Sequence, residues 1–132
     1  MRVRQDRGAA IVEFVMVLSL LVFLLFSVID MAMLMHSQLV LAHAAREGAR
    51  RAAIDGGLTA KVRERIYTQL ELGGLDVDRV EIYVSPYSAP YGWSIRLRLT
   101  YRYRPLSPPI SAVWGRVIPI TAEFITRSER IE

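Results

Sequence analysis

The chain has no cysteine in its 132 residues. That excludes a disulfide framework, a zinc–thiolate centre, an iron–sulfur cluster and a cysteine nucleophile. It leaves the compartment open, since exported proteins also do without disulfides. Lysine is almost missing: Lys61 is the sole lysine among 17 basic residues. The two histidines, His36 and His43, share a helix face, but seven positions separate imidazoles by about 10 Å, too far to hold one metal ion. No HExxH, GxSxG, P-loop or GxGxxG pattern occurs, and the carboxylates form no pair with the spacing of acid–base catalysis. The expectation is a protein without metal, cofactor, small-molecule substrate or enzyme activity, and with no nucleic-acid partner.

The most telling scarcity is local. From Phe14 to Ile29 there is no charged residue, and Ala9–Ile29, AAIVEFVMVLSLLVFLLFSVI, holds Glu13 alone. Hydrophobic residues make up 52% of the chain and mean hydropathy is +0.26, too apolar for disorder. A bilayer core of about 30 Å takes roughly 20 helical residues. The run supplies them, and it is apolar all round rather than along one stripe, so it reads as a membrane-inserted helix. The membrane part is read as about residues 9–35, because MAMLM continues after Asp30. Arg2, Arg4 and Arg7 precede the run against Asp6 alone, which predicts a cytoplasmic N-terminus and everything after the span outside. A secretory signal has a shorter apolar region. The small-x-small site Ala42-His43-Ala44 lies well beyond the run.

Beyond Met35 the alanine-rich HSQLVLAHAAREGARRAAI contains no proline, so one helix is read from about Ala9 to Ile54. It would measure about 70 Å, and about half must project from the bilayer. Asp55-Gly56-Gly57 ends it. Thr59 caps a second helix, Ala60 to Leu72, with Val62, Ile66 and Leu70 at four-residue spacing. Alternation predicts strands at Val80–Val84, at Trp93–Arg104 and at about Arg116–Thr126, with Pro105, Pro108 and Pro109 breaking the ladder between the last two. The fold class is α+β: a long N-terminal helix, then a head at residues 55–132 with a short helix and a three-stranded antiparallel sheet packed by its apolar side on helix.

Three sets of residues are singled out. Glu13 is a carboxylate in an apolar helix and needs a partner. If the chain were cut after Gly8, Ala9 would carry a new ammonium group about one turn away, and Glu13 could neutralise that group on its own chain or on a neighbour. Ala45, Ala49 and Ala53, and Ala44, Gly48 and Ala52, recur at four-residue spacing, which lets another element approach closely. That element is either the sheet of the same chain or another subunit. Glu47 and Arg51 form a candidate i,i+4 pair. Arg96, Arg98, Arg102 and Arg104 line one strand face, either as a solvated face or as a surface for an acidic protein or lipid head groups.

Gly8-Ala9-Ala10-Ile11-Val12-Glu13-Phe14, after a short basic leader and before a long apolar helix, resembles a type IV prepilin processing site, most closely that of the Flp/Tad subclass. With Ala44-Ala45-Arg46-Glu47-Gly48-Ala49-Arg50, it resembles the TadE-like pseudopilins. Ser19 stands where such proteins usually have proline, and Asp30 where glutamate is common. The resemblance implies cleavage after Gly8 by a prepilin peptidase, with Gly8, Ala9, Glu13 and Phe14 as the processing segment and residues 1–8 as the leader. It also implies an inner-membrane protein with a periplasmic head, whose partners are other pilins and the Tad assembly machinery. An uncleaved, signal-anchored periplasmic scaffold and a pseudopilin of a secretion system are the rival readings.

Overall fold

The computed structural model describes residues 2–130, with the side chains of residues 2–6 and of Pro109 outside the description. Met1 of the expected leader and the last two residues of the expected head therefore lie outside the described residues. Helix α1 runs unbroken from Arg2 to Asp55, about 80 Å. It starts earlier than the expected Ala9 because the leader contains no proline and a lone glycine does not stop a helix. It ends where expected. Gly56 takes φ +75°, and the Gly57 amide donates back to the Ala52 carbonyl at 3.0 Å, which closes the terminus in a left-handed turn that glycine adopts without penalty.

Helix α2 spans Ala60–Leu72, the predicted residues. The Thr59 side chain accepts from the Val62 amide, and Val62, Ile66 and Leu70 are buried. After a 3-10 turn at Val77–Arg79 come β1 (Val80–Ser85), β2 (Ser94–Tyr103) and β3 (Ile118–Arg127). They form one antiparallel sheet in the order β1-β2-β3. Ile95, Leu97, Leu99, Tyr101 and Tyr103 of β2 all face inward, as alternation requires. With the apolar face of α2 they cover the alanine stripe of α1, and together these three surfaces form the core.

One element departs from the expectation. Between β2 and β3 the prolines do more than break a ladder: Pro108–Trp114 is a third helix, α3, capped at Ser107, with proline in its first turn. Proline suits that place because the first amides of a helix have no intrahelical acceptor to lose. The head thus carries two short helices rather than one.

The far tip of the head is laced to the end of α1 by backbone hydrogen bonds. The Ala89 amide donates to Gly56 O, and the Glu129 amide to Ala53 O, each at 2.8 Å. Trp93 lies at this tip, one residue before β2, and its carbonyl accepts from the Ser128 amide.

Candidate functional site

The residues picked out from the sequence fall into separate places. Gly8, Ala9, Glu13 and Phe14 sit together on the first turns of α1, and all are exposed. A Cβ built on Gly8 would meet nothing within 4 Å, so this glycine answers no packing need in the isolated chain. The Gly8–Ala9 bond lies inside a helix, and glycine makes that turn easier to open by about 0.5–1 kcal/mol relative to alanine. Glu13 makes no ion pair among the described residues. It stands about 6 Å along the axis from Ala9.

The small-residue stripe begins some 45 Å further along the same helix, and it faces the head. Ala44, Ala45, Gly48, Ala49, Ala52 and Ala53 are all buried beneath α2 and the sheet. Of the two readings, the close approach is therefore intramolecular, and these residues are not open to another subunit. Gly48 shows how close: a Cβ there would lie 2.5 Å from Ile66 Cγ1 and 3.0 Å from Leu97 Cδ2. Glu47 does not pair with Arg51. It accepts from Arg65 of α2 at 3.0 Å, while Arg51 lies 3.4 Å from Asp55.

The arginine strip is largely answered by its own sheet. Arg98 and Arg96 converge on Glu123 of β3, at 2.7 and 3.4 Å, and Arg102 pairs with Glu81 of β1. Arg104 is exposed and has no ion pair among the described residues. All are partly exposed pairs of small energetic weight. The strip is therefore a solvated face on which three of the four arginines share two carboxylates, Glu123 and Glu81. Arg46 of α1 sits over the Phe124 ring at 5.8 Å.

Sequence reasoning passed over Asp30, which the structure makes a fastening point. Only 3% of it is exposed. Its carboxylate accepts from the backbone amides of Leu106 at 2.9 Å and Ser107 at 3.0 Å, and from the Ser107 hydroxyl. The Tyr103 hydroxyl lies 3.4 Å from the same carboxylate. Burial first, and the neighbouring Asp30 charge second, push the Tyr103 hydroxyl up from its ordinary value. The Ser107 hydroxyl donates to Asp30 and makes no cap bond to its own helix. One carboxylate thus ties the start of α3 to the end of the apolar run. A lone acid after a greasy stretch gives no hint of partners more than 70 residues away, so sequence carried no signal for the clamp.

Among the described residues, one helix is long and apolar enough to cross a membrane. From Ile11 to Met35 most of its large apolar side chains are exposed, the opposite of a core helix. Among the described residues, this exposed apolar helix rising into a small α+β head is the architecture of a membrane-anchored protein. The family model described as TadE-like protein matches residues 8–50, so that segment, from Gly8 to Arg50, is similar to TadE-like proteins. That is a family of structural, pilus-associated proteins rather than catalysts. No curated protein and no solved structure matches the chain.

Proposed function

We propose that this protein is a minor pilin or pseudopilin that takes part in assembling or initiating a Tad (Flp-type) pilus, after a prepilin peptidase removes residues 1–8. Before assembly it rests in the inner membrane with its N-terminus in the cytoplasm and its head in the periplasm. The orientation rests on the arginines that precede the span. The observation that carries the reading is the pairing of an exposed Gly8–Phe14 segment with an apolar rod whose large side chains from Ile11 to Val22 are all exposed. A rod of that kind is covered by lipid before assembly and by neighbouring pilin helices after it.

Glu13 has the central chemical role. A carboxylate in hydrocarbon costs a few kcal/mol on insertion scales. Cleavage creates a cation at Ala9 that offsets this cost, within one chain or between neighbours. The test is the mass of the protein recovered from its native membrane together with the behaviour of Glu13→Leu. A mature chain starting at Ala9, and a leucine variant that inserts but is lost from sheared filaments, support the proposal. An intact basic leader in functioning protein overturns it in favour of an uncleaved anchor. Normal filaments with leucine at position 13 remove the charge pairing.

A further inference from the structure

Helix α3 and the turn after it present an apolar surface that nothing in the head covers. Leu106, Val113 and Trp114 are 69%, 74% and 70% exposed, and Val117 is exposed as well. Large apolar side chains grouped in this way mark an interaction surface rather than ordinary surface scatter. Their height along α1 follows from the Asp30 bonds to Leu106 and Ser107 and from a groove shared with α1. Val113, Trp114 and Val117 line a groove of about 680 Å³ whose other wall includes Phe23 and Ser27 of α1. Those two residues belong to the apolar run. Phe23 lies seven residues before Asp30, about 10 Å down the helix axis.

Counting from Ala9, a hydrocarbon core of about 30 Å ends near Ile29. Asp30, and the loop it fastens, are then at the membrane surface on the head's side. The Trp114 end of α3 reaches below that level, by up to the 5–10 Å at which interfacial helices lie. We propose that α3 is a second membrane contact: Leu106, Val113, Trp114 and Val117 insert into the lipid leaflet on the head's side, and Asp30 holds them at that depth.

Two observations select lipid over a protein occupant. The groove is continuous with the apolar face of the span, so whatever surrounds Phe23 also meets Trp114. The segment from Arg104 to Ala122 contains arginines at 104 and 116 and no acidic residue, and both arginines are exposed. Cations flanking a short apolar helix suit an anionic head-group layer. Tryptophan suits the same layer, with an apolar ring and a polar N–H. The proposal rests on the membrane-anchored reading of α1 and not on leader cleavage or pilus assembly.

The two tryptophans supply the test, because Trp93 sits at the opposite tip of the head and is 61% exposed. The full chain is reconstituted into vesicles of phosphatidylcholine with a minor share of phosphatidylglycerol, as Trp93→Phe and, separately, as Trp114→Phe. Flotation of the vesicles reports anchoring. Emission is then read with aqueous iodide and with lipids brominated high or deep in their chains. In the Trp93→Phe protein, Trp114 should emit at shorter wavelength, lose most of its fluorescence to lipids brominated near the head group, and resist iodide. In the Trp114→Phe protein, Trp93 should respond only to iodide. If Trp114 is as open to iodide as Trp93 and blind to bromolipid, the inference is overturned while anchoring stands. Shielding of Trp114 from both quenchers also overturns it, in favour of a second protein copy in the groove. Chain that fails to float overturns the anchored reading and this inference together.

Discussion

Replacing Asp30 by asparagine tests the clamp directly. The substitution keeps the shape of the side chain, removes its charge and turns one acceptor oxygen into a donor. At present that carboxylate receives two backbone amides and a hydroxyl, those of Ser107 buried with it and that of Leu106 partly so. Hydrogen bonds to a charged group contribute about 1.5–3 kcal/mol each, and a buried donor left without a partner costs about 1–3 kcal/mol. The asparagine oxygen can still serve one amide, while its own N–H₂ faces the other. The expected loss is therefore about 2–4 kcal/mol of local stability at the junction of α1 and α3. The Leu106 and Ser107 amides report it by hydrogen exchange in micelles or nanodiscs. At about 1.4 kcal/mol per tenfold, their exchange should quicken by some tens- to several-hundred-fold. Amides at the far tip, such as Ala89 and Glu129, should be unchanged, because their acceptors are Gly56, just past α1, and Ala53 on its last turn. Unaltered protection at Leu106 and Ser107 would refute the assignment of Asp30 as their acceptor.

Gly48→Val drives a side chain into Ile66 and Leu97 and should destabilise the head by about 1–3 kcal/mol, read from denaturant unfolding in micelles. The penalty should shrink when Ile66→Ala is already present, and an equal cost in both backgrounds would show that Ile66 is not the obstacle. Arg98→Ala should cost under about 1 kcal/mol, because its pair with Glu123 is partly exposed and screened by salt. Glu123→Ala leaves Arg96 and Arg98 without their acid, so binding of a soluble polyanion such as heparin to the full chain in neutral micelles should rise at low salt; unchanged binding would mean that Glu123 does not neutralise them.

How much of this was legible depends on how far a residue must look for its partner. The end of α1 at Gly56-Gly57, the limits of α2 and the inward face of β2 are all written in local order, through a left-handed turn, a four-residue repeat and a two-residue alternation. The resemblance of the Gly8–Phe14 and Ala44–Arg50 segments to TadE-like proteins was likewise carried by contiguous residues, and the match over residues 8–50 agrees with it. Partners set by strand register were not legible. Glu123 meets Arg98 because the antiparallel pairing of β2 and β3 puts them opposite, and the sequence does not print that alignment. The small-residue stripe announced a close approach without saying whose surface approaches. Helix α3 escaped notice because seven residues are too few to display a helical period. Ser107 before Pro108 and Pro109 marks its start, but the same prolines equally break a strand ladder.

The continuity of α1 has a mechanical consequence. No proline interrupts it, and no glycine lies between Gly8 and Gly48, so the rod has no joint at which a push could be absorbed. A pull that lifts its foot by one residue raises the crown by the same 1.5 Å, and a one-residue screw turns it through about 100°. Machinery that grips only the buried shaft would thereby steer the exposed end as a key turns its bow, without touching it.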